Sequence, residues 1–326
     1  MNHQNPFGIL PATTAMKSGQ IYLANEAAVG NNFLSEALTQ YSVGWTSPDG
    51  ALEKLLNDLT GAPIIVGKRF AFKSMDNKKA FASADNDEDV RAIGADFKRI
   101  EISGSTVDSH TVSKGLTMRV DSDELNDDPE AEQKAVAYLR TVLLRAEIIR
   151  ALSGLKGAAS NTAKTWGTGA SKADADADIM TMLKACGDAA GLLPNTVLFG
   201  PAAWQKRFLT LRDSANSAVA QSATLTLEQI AGLYGVRTVK RIEDRYQASA
   251  NAKNALLSDN LVLAYNTQTS GIKDDPSNIK RFVTKVNGTD YAVFREEKAA
   301  GIDITVAHQS RIIITSGLGI GTLTIS

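Results

Sequence analysis

The chain has 326 residues, 43% of them hydrophobic, which is too many for one small core, so two lobes or one large elaborated domain are expected. Lysine plus arginine number 35 against 36 for aspartate plus glutamate, a formal charge of -1; this excludes a strong basic field and leaves only local or loose contact with nucleic acid. The single cysteine, Cys186, excludes an internal disulfide framework and a Cys-based zinc site, suits a reducing cytosol, and reads as a small buried thiol among apolar neighbours.

The opening stretch "MNHQNPFGILPATTAMKSGQ" has no basic segment followed by an apolar one, so no secretory signal is expected. No window approaches the roughly 20 apolar residues of a membrane span, and no membrane partner is expected. Residues 1 to 60 read as an extended lead with two short helices, "NNFLSEALTQY" and "DGALEKLLNDL". The second opens after Pro48-Asp49 and carries Leu52, Leu55, Leu56 and Leu59 at helical spacing,. From Pro63 the period becomes two: "PIIVGKRFAFKS" predicts a strand and "KRIEISGSTVDSHTVSKGLTMRV" one or two more. Between them "MDNKKAFASADNDEDVRAIGADF" is charged and poor in large apolar side chains. It predicts a long two-stranded excursion with a solvated tip, which needs a partner to lie on.

"DDPEAEQKAVAYLRTVLLRAEIIRALSGL" predicts the longest helix, over 128–154: Asp127 or Asp128 caps it, Pro129 takes the first helical position and Gly154 ends it,. Ala135, Leu139, Val142, Ala146 and Ile149 form one apolar stripe; Leu144, Ile148 and Leu152 form a second on the opposite side,. Glu132, Arg140, Glu147 and Arg150 run between them on one flank, with Lys134 and Arg145 toward the other. One stripe can face the helix's own sheet. The other needs cover from another segment or another subunit.

Residues 157–173, "GAASNTAKTWGTGASKA", read as a Gly/Ser/Thr/Ala linker. A second lobe follows: a helix with Ile179, Met182, Leu183, Cys186 and Ala190 inward, the strand "NTVLFG", the helix "PAAWQKRFLTL", a polar stretch, a helix passing through Gly235 into a strand, and the buried strand within "NALLSDNLVLAYN". Beyond Pro276 the pattern is β: "IKRFVTKV", the hairpin signal Asn287-Gly288, "DYAVFREE", "IDITVAH", "RIIITS" and "LTIS".

Few constellations concentrate chemistry. Asp174, Asp176 and Asp178 alternate as in a calcium loop, but Ile179 and Ala185 stand where that loop needs glycine and glutamate,. Acids at a helix N-terminus are the better account, and no metal is expected. Gly317, Gly319 and Gly321 follow a strand as in a dinucleotide loop, yet no helix follows to receive a pyrophosphate,; a glycine-rich twist between two strands is expected. His3, His110 and His308 lie at no metal-ligand spacing,. The turn in "LFGPAAW" could hold phosphate at a helix start, but Pro201 removes an N–H there,. Pro201, Trp204 and Phe208 are instead expected to build the core of their lobe, with no catalytic residue and no cofactor anywhere.

Four stretches in their order, "RAIGADFKRIEISGSTVDSHTVSKGLTMRVDSDEL", "LRAEIIRAL", "DIMTMLKACGDAAGLLPNTVLFGPAAW" and "LAYNTQTSGIKDDPSNIKRFVTKV", resemble the major capsid protein of tailed bacteriophages, with the Hong Kong 97-type fold. The resemblance implies an α+β chain with an N-terminal arm (1–60), an E-loop hairpin (64–118), and a peripheral domain (119–158 and 272–316) around a spine helix at 128–154. It further implies an axial α/β domain (172–271) and a C-terminal strand (317–326). It implies a structural subunit, not an enzyme, that assembles with itself into hexamers, pentamers and an icosahedral shell. That shell is built in the host bacterial cytoplasm and packages double-stranded DNA through non-specific contacts. A portal, a decoration protein and either a separate scaffold protein or none are the implied partners. Leu144, Ile148, Leu152, Lys78, Lys79 and Arg91 become candidates for packing between subunits. Some relatives join an E-loop lysine to an asparagine; Lys78, Lys79 and Lys98 lie in or near that loop, but no asparagine, Asn278 or Asn287 included, can be aligned with them, and no crosslink is expected. Two rivals remain: an encapsulin-type nanocompartment shell, and a cytosolic α/β ligand-binding protein or enzyme using the 191–208 turn.

Overall fold

A computed structural model describes residues 34–47, 50–74, 90–91, 93–96, 105–168, 174–214, 216–249, 251–267 and 275–326. In chain order these residues form α1 (Glu36–Gly44), α2 (Ala51–Thr60), β1 (Ile64–Ile65), β2 (Arg69–Ser74), β3 (Ser105–His110), β4 (Val112–Asp121), α3 (Ser122–Asp127), α4 (Ala131–Ala158) and β5 (Ser160–Lys164). Then come α5 (Ala175–Ala190), β6 (Thr196–Phe199), α6 (Pro201–Arg212), α7 (Ser217–Ser222), α8 (Leu227–Tyr234) and β7 (Thr238–Arg241). The remainder is β8 (Arg245–Ser249), β9 (Ala252–Ala255), β10 (Leu261–Tyr265), β11 (Ile279–Thr284), β12 (Ala292–Lys298), β13 (Gly301–Ile314) and β14 (Gly321–Ile325).

The chain divides into two compact units. One takes residues 1–47, 113–143 and 285–309, the other 48–112, 144–284 and 310–326. This differs from the expected boundaries, which kept the long helix in one domain.

In the first unit β12 runs antiparallel to the start of β13, from Ala292 opposite Ala307 to Lys298 opposite Gly301, and β4 also pairs with β13. Ile302, Ile304 and Val306 alternate inward along β13, as the two-residue period of a strand requires, and pack with Val120, Val293 and Leu38. The start of α4 covers them with Ala131, Ala135, Val136, Leu139 and Leu143. Asn287 and Gly288, at φ 50 and 81, make the mirror-image turn that their sequence predicts,.

The second unit holds a five-stranded sheet in the order β5-β14-β10-β6-β7. β10 is antiparallel to both β14 and β6, whereas β14 pairs with β5, and β6 with β7, in parallel. Every residue of β6 and β10 is buried, which matches strands covered on both faces. Ile179, Met182, Leu183 and Cys186 of α5, Ala203 and Leu211 of α6, and Ile230 and Tyr234 of α8 pack with Val197, Phe199, Val262 and Leu323 of the sheet. β1 lies parallel to β11, and Phe70, Phe72 and Phe282 meet beside Ile64. β2 pairs antiparallel with β3 from Arg69 opposite His110 to Ser74 opposite Ser105, giving the base of the expected excursion; residues 75–89 lie outside the described residues. β8 and β9 form a separate two-stranded ribbon.

Three sequence expectations are corrected. The stretch read as a linker contains β5 and Trp166, 3% exposed, with its indole N–H donating to Asp178 at 3.0 Å. "IDITVAH" and "RIIITS" are one continuous strand. The long helix starts at Ala131 and continues past Gly154 to Ala158, while Asp128 caps the turn before it by accepting the Glu130 N–H at 3.0 Å.

Gly200, at the corner between β6 and α6, has an ordinary φ of -74; it is glycine because a Cβ would lie 2.2 Å from the Ser258 carbonyl oxygen. Gly157 in α4 has open space around it. Gly200→Ala should therefore destabilise the chain by about 3 kcal/mol through overpacking, and Gly157→Ala should stabilise it by about 0.5–1 kcal/mol through helix propensity. Urea denaturation of both variants measures the contrast; equal shifts would mean the corner relaxes freely.

Candidate functional site

The strand-to-helix corner is one of the places in the sequence with the outline of a ligand loop. In the structure three of its amides already have partners. Gly200 N–H donates to Leu261 O at 2.8 Å, Ala203 N–H to Asp259 O at 2.9 Å, and Trp204 N–H to Gly200 O at 3.0 Å, while Pro201 has none to offer. Trp204 meets Phe199 edge-on at 5.4 Å, and the guanidinium carbons of Arg207 and Arg241 each lie 5.4 Å from its ring centre. Trp204 and Phe208 are partly buried and pack against the core from its margin, and Pro201 is half-buried at the first helical position. Beside Ala203 and Leu211, α6 buries one charged side chain completely, Arg207.

Arg207 explains one of the alternating acids. Its Nε donates to Asp176 Oδ1 at 2.7 Å and its Nη2 to Asp176 Oδ2 at 3.0 Å, the two-pronged geometry a guanidinium offers a carboxylate. Tyr234 donates its hydroxyl to Asp176 Oδ1 at 2.5 Å, and Arg207 Nη2 also reaches Ser222 O at 3.2 Å. Burial pushes the Tyr234 phenol well above its usual range, so it remains a donor. Burial pulls the guanidinium down, but the hydrogen bonds and charge interactions with Asp176 and Tyr234 together outweigh that and hold it charged. The other two acids do separate work: Asp174 caps α5 by accepting the Asp176 and Ala177 N–H groups, both at 3.1 Å, and Asp178 pairs with Lys164 at 2.7 Å. Among the described residues no group of three His, Cys, Asp or Glu is placed to hold a metal.

Leu144, Ile148 and Leu152, expected to pack against a neighbouring subunit, are 2%, 0% and 3% exposed within the chain itself. The correction has a physical reason. The buried side of α4 changes along its length, from Ala135, Val136, Leu139 and Leu143 in the first unit to Leu144, Ile148, Ala151, Leu152 and Leu155 in the second. The two stripes thus occupy successive halves of the helix, and the outer parts of the first, Val142, Ala146 and Ile149, are only half-buried. The flank read as charged is also buried in part. Arg140 is 7% exposed, with its guanidinium carbon 4.6 Å from the Tyr291 ring centre and 5.1 Å from that of Trp45. Glu147, 1% exposed, accepts from Ser310 Oγ at 2.9 Å and Arg150 Nη1 at 2.5 Å.

Lys78, Lys79, Lys98 and His3 lie outside the described residues; Arg91 is exposed. His110 is exposed, and its carbonyl accepts from Arg311 Nη1 at 3.3 Å, whereas His308 continues the inward alternation of β13 and lies 5.0 Å from Tyr291, ring to ring. Asn278 uses both ends of its amide, accepting the Asn266 N–H at 2.7 Å and donating to Ser316 O and Leu318 O at 3.0 and 2.7 Å. Gly319, at φ 76, and Gly321 form the expected twist between β13 and β14; a Cβ on either would sit 2.6 Å from α5, at Ala190 Cβ and Cys186 Sγ. Burial pushes the Cys186 thiol up to about 11.

No family model matches the chain, and no curated protein matches it. Among solved structures, a phage-related protein from Bordetella bronchiseptica RB50 is similar with a TM-score of 0.65 at 13% identity, over 90% of this chain and 97% of that one. A putative capsid protein of a prophage of Escherichia coli CFT073 gives 0.48 at 11% identity, over 90% and 99%. A virus-like particle from Pyrococcus furiosus gives 0.48 at 13% identity, over 88% and 98%. The chain therefore has the mixed α+β fold of the phage-related protein, along nearly the whole of both.

Asp176→Asn should cost about 3–5 kcal/mol, because it leaves a buried guanidinium without its counter-charge. The double variant Asp176→Leu/Arg207→Met should recover most of that loss, and denaturation of the four forms of the cycle measures the coupling. A cost below 1 kcal/mol for the single change would mean the pair is not buried in solution. For Cys186, the unfolded thiol ionises near its ordinary pKa of about 8.5 and the folded one only at about 11. Its contribution is then complete below pH 8.5 and lost as pH rises through 11. The native thiol should resist iodoacetamide at pH 8 and react on unfolding, and the stability gap to Cys186→Ala should narrow between pH 8 and 11.

Proposed function

We propose that this chain is the major capsid subunit of a tailed phage, with a Hong Kong 97-type fold, acting as a structural protein and not as an enzyme. Copies assemble into hexamers and pentamers of an icosahedral shell in the host bacterial cytoplasm, and the shell packages double-stranded DNA and becomes part of the virion. Residues 1–60 act as the arm, 64–118 as the E-loop lying on a neighbouring subunit, and 172–271 as the axial lobe; a separate scaffold, a portal and a decoration protein are its other partners.

The observation that carries this reading is the fold shared with a phage-related protein over 90% of this chain, together with four sequence stretches that resemble phage capsid proteins in order. Surface chemistry supports it. Ile65, Val90, Ile93, Tyr138 and Leu193 are all more than half exposed in the single chain, and apolar side chains left open in this way are suited to burial by a partner. The β2–β3 pair forms a sheet of only two strands, which gains stability by lying on another surface.

Electron microscopy of purified protein, with and without scaffold, should show closed shells, tubes or free capsomers. A compact monomer or dimer at high concentration would sink the reading, and small uniform shells filled with protein would move it to an encapsulin. Deleting residues 75–95 should leave a subunit that folds but does not close shells. A boiled, reduced particle should run as monomer on a denaturing gel, where a ladder would reveal covalent links.

A further inference from the structure

The second unit contains a groove of about 390 Å³ between α4 and the β8–β9 ribbon, lined by Ser153, Lys156, Arg245, Tyr246, Lys253 and Asn254 among others. Its charge is one-sided. From Arg245 to Ser258 the chain carries two cations and no acid, and the one acid in the lining is Asp259. Asp259 pairs with Arg245 at 3.3 Å, with the two side chains 44% and 46% exposed, so the pair is weak and solvated. Lys156 is exposed and donates only to Ser258 Oγ, at 3.2 Å, while Lys253 is exposed, and neither meets a carboxylate among the described residues. Arg145, also exposed, lies on the same face of α4 as Ile149 and Lys156, at spacings of four and eleven residues,. The leucines of the lining are closed to a partner, with Leu152, Leu256 and Leu257 3%, 8% and 2% exposed, while Ile149, Tyr246 and Ala255 are half-buried.

We propose that this groove binds the phosphodiester backbone of double-stranded DNA, a proposal that takes the capsid reading above as its premise. Two cations without carboxylate partners and a third in a solvated pair, beside hydroxyl and amide groups, match phosphate oxygens, which such groups contact without reading sequence. An acidic protein segment would need an apolar anchor to seat firmly, and the groove's leucines are already buried. The near-neutral charge of the whole chain keeps the attraction local, so the container holds its genome loosely.

The test uses the full chain as unassembled subunits and a fluorescein-labelled duplex of about 30 base pairs in two unrelated sequences. The triple variant Lys156→Gln/Arg245→Gln/Lys253→Gln is compared with a charge-matched control, Arg119→Gln/Lys184→Gln/Arg237→Gln. Between 50 and 200 mM salt, the wild type and the control should each lose about 40-fold more affinity than the groove variant, as expected for three phosphate contacts, equally for both sequences. Equal salt dependence in the groove variant and the control would overturn the proposal. So would a groove variant that loses binding to poly-L-glutamate while keeping its affinity for DNA, which would give the surface to an acidic protein. Electron microscopy of the same variants separates the two readings. Normal shells with unchanged DNA affinity refute the groove alone; groove-dependent DNA binding by a protein that forms no shells refutes the capsid reading alone.

Discussion

The lobe that holds α5, α6, α7 and α8 depends on a charge placed where charge is costly. Arg207 is fully buried, and from that position it ties its own helix to Asp176 on α5, to Tyr234 on α8 and to the Ser222 carbonyl at the end of α7. Removing a guanidinium and a carboxylate from water carries a large penalty, recovered only when geometry and extra hydrogen bonds are good. Here both prongs of the fork are used and a phenol completes the carboxylate. Leucines in these places could be as stable. They would not demand one register of four helices, because apolar contacts tolerate sliding that a bidentate pair does not.

Much of the architecture was legible in sequence, and the reason is locality. The strands "NTVLF" and "LVLAY", the Asn287-Gly288 turn and the α5 N-terminus at Asp174 are specified by residues within a few positions of one another, and each appears where its pattern puts it. What was missed is non-local. Ser160–Lys164 is small and polar, and it becomes a strand only because Gly321–Ile325 lies beside it. Arg207 and Asp176 are 31 residues apart, so nothing near either one announces that both are inside. The long helix misled differently. Its two apolar stripes were read as coexisting on opposite sides, whereas the buried face changes partway along. The expectation of Trp204 and Phe208 as core was close in place but wrong in depth, since the helix buries its arginine and leaves the aromatics at the margin.

These features engage the polar groups that the sequence marks as candidate sites. The corner that outlined a phosphate loop has its amides bonded to the Ser258–Leu261 segment and to its own helix. The acids that outlined a metal loop cap a helix, pair with Arg207 and pair with Lys164. Exposed apolar side chains, the two-stranded β2–β3 pair and a patch of cations remain on the surface.

The position of β14 has a kinetic consequence. It lies between β5 and β10, pairing with Ser160–Lys164 on one side and Leu261–Ala264 on the other, so the five-stranded sheet stays in two pieces until residues 321–325 arrive. Pairing over about 160 positions of chain is slow to form because its loop entropy must be met first. Until it forms, two inner edges stand open with unpaired backbone groups, the feature that lets strands from different chains join wrongly. Where many copies of the chain are made together, this insertion must finish faster than the copies meet.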